Sequence, residues 1–372
     1  MTAFLGPIGL PEITAAVMMV ALNAYVLMGG ADFGGGVWDL LANGPRRDAQ
    51  RALIANAIGP IWEANHVWLI IAVVMLFTAF PDVFALLGIL LHIPLSLMLF
   101  GIVLRGSAFV FRSYGSHADA AQRRWGRVFA VSSLITPLLL GIVVGTIASG
   151  ALAHGLDRLV GVAVGGGAGP LGGSTTDAHA LFGEGGGSFT SVFVASWVSP
   201  FPIAIGVLAL TLFAFLAAVY LTVAARDEQL REDFRHRALI AAVAVFAAAL
   251  GAIVVAHFAA PDVSRVLLES PVAPYLQAFT ALAALTAIAA LWTRHYQLAR
   301  LAAAAQVSLV LWGWALVQYP FIVPPLLTIR DSSAPRITLE LLLTALAIGA
   351  VVLVPSLVYL FRTFSRARTE EG

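Results

Sequence analysis

Apolar residues along this chain come in runs of membrane length, separated by short clusters rich in Arg, Gly and Pro. A transmembrane helix needs about 20 predominantly apolar residues. The stretches that meet this length are 12–40, 53–79, 83–111, 126–152, 201–225, 237–259, 273–293, 299–320 and 337–363. They predict an all-α, polytopic integral membrane protein of about nine transmembrane helices. Only the segment from Arg294 to Arg300 separates the seventh from the eighth, so eight helices is the alternative. The chain reads as a single membrane domain over 1–372. Helices one to four fall in 1–152, a Gly-rich extracytoplasmic loop in 153–200, and helices five to nine in 201–363. Helices one to four and five to eight would each start and end on the same side. That is compatible with two bundles and a ninth helix, although no residue-level repeat supports it.

Arginine placement orients the bundle. One set of loops carries Arg46, Arg47 and Arg51, then Arg112, Arg123, Arg124 and Arg127, then Arg226, Arg231, Arg235 and Arg237, then Arg294 and Arg300, and last Arg362, Arg366 and Arg368. The alternate loops hold Arg158, Arg265, Arg330 and Arg336. Cytoplasmic loops carry the excess of basic residues, so the N-terminus is expected outside and the C-terminus inside. Met1 to Glu12 lacks the basic start of a signal peptide, so the first apolar segment is expected to remain as a helix.

Composition narrows the class further. The chain is 60% hydrophobic and 11% charged, with a mean hydropathy of +0.92. Soluble domains are nearer 45–50% and about 25%. A formal net charge of +1 gives no reason to expect a nucleic-acid partner. Cysteine is absent, which removes disulfides, thiolate metal sites and CxxC redox chemistry. The Gly-rich loop contains a GxGxxG spelling at Gly167, Gly169 and Gly172, but neither a strand before it nor a helix pattern after it. It reads as a flexible linker with room for an interfacial helix. The last outside loop, Gln318 to Arg330, is apolar and Pro-rich and is expected to pack on protein.

Against this apolar background the second helix stands out. Between Gly59 and Phe80 it places Glu63, Asn65 and His66 between Trp62 and Trp68, then runs without a charge to Asp82. A carboxylate at the centre of a membrane helix costs about 2.5–3.5 kcal/mol on insertion scales and by default marks an ion or proton pathway. Glu63 and His66 are three apart and share a face. Glu63 lies about 15 Å from the Arg-rich end of its helix. In the third helix as read here, 83–111, His92 would lie at a depth close to that of His66. Three readings stay open: Glu63 with His66 as a proton relay, His66 with His92 as axial heme ligands, or a polar group that satisfies itself structurally. Arg105, at the Arg-rich end of the third helix, is either a snorkelling cation or a counter-charge for Asp32, for Glu63 or for an acidic group of a partner. Asp32 lies among the glycines that end helix one, and Asp39 follows at the boundary.

These residues resemble subunit II of the cytochrome bd-type quinol oxidases. The resemblance rests on Gly30-Ala-Asp-Phe-Gly-Gly-Gly, on Ile58-Gly-Pro-Ile-Trp-Glu-Ala-Asn-His-Val-Trp-Leu, and on Leu76-Phe-Thr-Ala-Phe-Pro81. Leu104-Arg-Gly-Ser-Ala-Phe-Val-Phe-Arg, Trp197-Val-Ser-Pro-Phe, and Tyr319-Pro through Thr328-Ile extend it from residue 25 to about 360 in the family's order. It implies an accessory subunit in a bacterial or archaeal cell membrane, paired with a heme-bearing subunit I and small accessory membrane peptides. Such a complex oxidises a quinol, reduces dioxygen to water and draws protons from the cytoplasm. Hemes b and d would reside in the partner, with none expected in this chain. Glu63 takes the position the family associates with proton transfer, with His66, Asn65 and Asp32 as companions. Trp62, Trp68 and Arg105 are candidate contacts for cofactor or quinone. Three positions depart from the family's usual pattern: Gly29 replaces an acid, His66 a Gln or Glu, and Val110 an acid. A proton-coupled transporter and a purely structural membrane subunit are the alternative classes.

Overall fold

The computed structural model describes residues 8–114, 119–165 and 189–370; the side chains of 58–61, 63, 112–114, 119–123, 160–165 and 360–370 lie outside that description. The elements are α1 (Leu10–Leu40), α2 (Arg47–Ala79), α3 (Pro81–Leu90), α4 (His92–Tyr114), α5 (Asp119–Ala148), α6 (Ala151–Gly165) and α7 (Phe189–Phe193). Then come α8 (Pro200–Ala224), α9 (Glu228–Ala259), α10 (Pro261–Glu269), α11 (Ala273–Trp292), α12 (Tyr296–Gln318), the strands β1 (Phe321–Val323) and β2 (Leu327–Thr328), and α13 (Arg336–Glu370). Among the described residues eight helices are long and apolar enough to cross a membrane, or nine if the bent pair Ala64–Ala79 and Pro81–Leu90 counts as one span. Helices satisfy their backbone groups internally, which is why an apolar chain of this kind spans lipid as helix.

α1 and α8 form the centre. α1 packs on α2, α5 and α8, while α8 packs on α9, α5 and α12; α4 pairs with α5, and α11 with α12. Close approach of α1 and α8 depends on glycine. A Cβ on Gly34 would run into the Phe213 carbonyl, and one on Gly30 into the Leu216 side chain. This is the small-residue contact that membrane helices use in place of hydrophobic exclusion. α13 lies outside the bundle against α2 and α1, and no residue of its most apolar stretch is buried.

Three features differ from the sequence reading. The third apolar stretch, read as one helix over 83–111, breaks at Leu91: α3 turns by 111° from the end of α2, and α4 begins at His92. Pro94 then falls in the first turn of α4, where its missing N–H costs nothing. Second, helices α6 and α7 occupy the two ends of the 153–200 loop, while its glycines 167, 169 and 172 lie outside the described residues. Third, a repeat is visible at residue level. Ala79-Phe80-Pro81-Asp82-Val83 and Ala259-Ala260-Pro261-Asp262-Val263 both end a long helix and start a short one. Phe80 (φ −135°, ψ 62°) and Ala260 (φ −148°, ψ 64°) adopt nearly the same backbone. Pro opens each short helix and an Asp sits in its first turn, as the helix dipole favours.

The Arg-poor end is closed by the β1–β2 hairpin. Val323 is buried in a cluster with Phe80, Val83 and Leu90, and the Ala334 N–H donates to the Ala79 carbonyl at 2.8 Å. The Pro-rich segment thus packs on protein.

Candidate functional site

The polar residues of the first four long helices meet inside the bundle α1, α2, α4 and α5. On α1, Tyr25, Asp32 and Asp39 recur every seven residues and so share one face; all three are buried. α4 brings Arg105 to Asp32. Arg105 Nη2 pairs with Asp32 Oδ1 and donates to the Asp32 main-chain carbonyl at 3.1 Å. Both side chains are 0% exposed, so this is a fully desolvated ion pair. The Phe33, Phe109 and Phe129 rings surround the guanidinium, with centroids 5.5, 5.9 and 5.0 Å from its carbon. Arg105 is therefore no snorkelling cation but the counter-charge of Asp32.

α2 supplies the other wall. The Asn65 amide faces the Asp32 carboxylate, and His66 lies within electrostatic reach of it. His66 Nδ1 is 2.8 Å from the Trp62 carbonyl. A carbonyl only accepts, so Nδ1 is the donor and the neutral ring carries its lone pair on Nε2. The imidazole meets the Trp62 indole edge-on, with centroids 5.6 Å apart. The Trp62 and Trp68 indole N–H groups are buried without hydrogen-bond partners. Glu63 belongs to the same helix turn, and its side chain lies outside the described residues.

Several buried polar atoms here have unused hydrogen-bonding capacity: Asn65 Oδ1, Arg105 Nε and Nη1, Ser133 Oγ and Thr136 Oγ1. Ser133 and Thr136, on α5, rest against Gly36 and Gly101, which have no side chain to cover them. Towards the Arg-rich end, Asp39 is followed by Arg51, whose Nε lies 3.8 Å from Asp39 Oδ1. Beyond that, Arg46 donates to Asp233 Oδ2 at 2.8 Å, and the carboxylate holds the Arg46 guanidinium above its ordinary pKa.

The structure thus gathers Asp32, Asn65, His66, Arg105 and Trp62, and adds Tyr25, Ser133 and Thr136, which sequence reasoning passed over. It does not bring His92 to His66. His92 begins α4 at the Arg-poor end, exposed and edge-on to Phe193 at 5.1 Å. His66 lies 13 residues before the end of α2, about 20 Å of helix. These two histidines do not form an axial pair. Among the described residues no group of three or more His, Asp and Glu side chains gathers to hold a metal ion. Two of the departures from the family pattern also find a place. A Cβ at Gly29 would stand 3.4 Å from Asn65 Nδ2, so residue 29 borders the cluster directly. Val110 is exposed on α4.

Comparisons with known proteins agree with this architecture. The Bacillus subtilis cytochrome bd ubiquinol oxidase subunit 2 is 33% identical over 138 residues, covering 37% of this chain and 39% of that protein. The Escherichia coli cytochrome bd-I ubiquinol oxidase subunit 2 is 29% identical over 135 residues, covering 35% and 34%. The matched stretch thus spans under two-fifths of the length of these curated relatives. A chain of the bd oxidase from Geobacillus thermodenitrificans has the same fold, with a TM-score of 0.70 at 22% identity over 95% of this chain and 98% of that one. Residues 10–364 match the family described as cytochrome bd terminal oxidase subunit II. The match runs almost from end to end, and the chain belongs to the cytochrome bd terminal oxidase subunit II family.

Proposed function

We propose that this chain is the accessory subunit of a membrane oxidase that oxidises a quinol and reduces dioxygen to water, paired with a heme-bearing subunit I in a bacterial or archaeal cell membrane. Within it, Glu63 and the cluster Asp32, Asn65, His66 and Arg105 carry protons from the Arg-rich end, taken as cytoplasmic, towards the partner. Dioxygen reduction consumes protons as well as electrons, so a path through low-dielectric protein is a requirement of that chemistry.

The observation that carries this reading is the fully buried Asp32–Arg105 pair inside a membrane bundle, bordered by polar atoms with unused hydrogen-bonding capacity. A buried ion pair seldom stabilises a fold better than apolar side chains of similar volume would. Intramembrane ionisable groups mark functional routes by default. His66, with Nδ1–H bound to Trp62, presents a basic Nε2 that can take up and pass on a proton. Asp39 and Arg51 extend the polar run towards the Arg-rich surface.

The test is oxygen uptake with quinol by the complex purified from its native membrane, alongside a reduced-minus-oxidised absorption spectrum. Glu63→Gln keeps the shape and removes the titration. Turnover is expected to fall at least tenfold in this variant with the heme spectrum unchanged. Unchanged turnover would leave the chain a structural subunit. A heme-free preparation that takes up no oxygen would point to a transporter instead.

A further inference from the structure

We propose that the cavity at the Arg-rich end, between the α1–α2 loop and the third turn of α9, binds the phosphate headgroup of an anionic phospholipid. It has a volume of about 250 Å³, and its lining includes Gly44, Arg46, Gln50, Asp233, His236 and Arg237. This site is separate from the buried cluster and does not depend on the proton-path reading.

The charges in the cavity are not balanced. Asp233 is committed to Arg46, which donates to both its carboxylate oxygens at 2.8 and 2.5 Å, and to Gln50, whose Nε2 donates at 2.9 Å. Arg237 shares the field of Asp233 but hydrogen-bonds to uncharged groups. Its Nη2 donates to Gln50 Oε1 at 2.7 Å, and the Phe234 and Trp38 rings lie 5.1 and 5.6 Å from its guanidinium carbon. Its Nη1 is buried without a hydrogen-bond partner. Arg46, Arg237 and Asp233 together give the lining one net positive charge, matching the single negative charge of a phosphodiester. An Arg fork pairs well with phosphate oxygens, and Arg237 has a donor to spare.

Depth and the neighbouring surface select a lipid over a free anion. Arg237 stands 22 residues before the end of α9 at Ala259, about 33 Å of helix, whereas the hydrocarbon core is about 30 Å thick. The cavity therefore sits at headgroup level when α9 spans the bilayer. From His236 the same face of α9 continues through Ile240, Val243, Ala247 and Leu250, all exposed at alternating steps of four and three. That stripe offers an acyl chain a continuous track below the headgroup, and a free phosphate gains nothing from it.

Native mass spectrometry of the complex purified from its membrane and stripped of lipid tests this, with phosphatidylglycerol, phosphatidylcholine and inorganic phosphate as probes. Phosphatidylglycerol is expected to bind at least tenfold more tightly than phosphatidylcholine. Arg237→Gln is expected to weaken it at least tenfold. His236→Gln, at an exposed position whose ring contacts the Glu232 carbonyl and lies 3.8 Å from its carboxylate, removes no core packing and is expected to leave binding within twofold. Equal retention of the two lipids, or indifference to Arg237→Gln, would overturn the proposal. Displacement of phosphatidylglycerol by millimolar inorganic phosphate would assign the cavity to the free anion and overturn the lipid assignment.

Discussion

Asp32 and Arg105 form an ion pair with both side chains fully buried, and that makes the pair a sharp probe of what the site does. Removing one partner of a buried pair leaves the other charge uncompensated, at a cost of about 3–5 kcal/mol. Asp32→Asn is therefore expected to lower the thermal midpoint and the yield of assembled complex. Asp32→Asn combined with Arg105→Met removes both charges and is expected to recover much of that stability, since an apolar replacement of a buried pair is often neutral or better. Oxygen uptake by the double variant separates the roles. Normal turnover would make the pair structural, and lost turnover in a stable complex would place it in the proton route. The sequence exposed Asp32, Glu63, Asn65, His66 and Arg105 because charged or amide groups inside apolar runs are costly and so conspicuous. Tyr25, Ser133 and Thr136 were not conspicuous. Hydroxyls are common in membrane helices, where they bond back to their own backbone, as Thr146 does to Ile142 at 2.8 Å. Only the packing shows that Ser133 and Thr136 do not.

Helix contacts here are set by where side chains are missing. Gly34 meets the Phe213 backbone, a neighbour that cannot rotate away, so Gly34→Ala must push α1 from α8. Overpacking of this kind costs about 1–3 kcal/mol. It is expected to lower the thermal midpoint of the purified complex, whereas Gly251→Ala, with nothing within 4 Å, should leave it unchanged or slightly raised. A midpoint insensitive to Gly34→Ala would mean that the α1–α8 contact tolerates greater separation. Apolar run length located most of the long helices. Boundaries were harder. The break at Leu91 contains neither Gly nor Pro, so an apolar count runs straight through it. The available signal was Pro94, which fits the first turn of a helix and not its interior. Reading it as a start would have moved His92 from mid-membrane to the surface.

The two halves share a plan but not a chemistry. Each has a long helix turning at Ala-x-Pro-Asp-Val into a short one, yet the fully buried ion pair lies in the first half, while α11 is apolar from Ala273 to Trp292 apart from Gln277 and its hydroxyl side chains. Four identities in five positions are too few to stand out in 372 residues; the similar backbone angles at Phe80 and Ala260 make them a structural correspondence. The direction of proton flow rests on a different whole-molecule property, the orientation inferred from Arg placement. Because the chain has no cysteine, a single introduced thiol reports its side without background. Asp48 lies exposed at the Arg-rich end and Glu269 exposed at the other. In intact cells a membrane-impermeant maleimide is expected to label Glu269→Cys at once and Asp48→Cys only after lysis. Should Asp48→Cys react in intact cells instead, the Arg-rich end would face outwards. The run from Asp39 to Asp32 would then open on the wrong side to draw protons from the cytoplasm, and the proposed route would fail on geometry even if Glu63 proved essential.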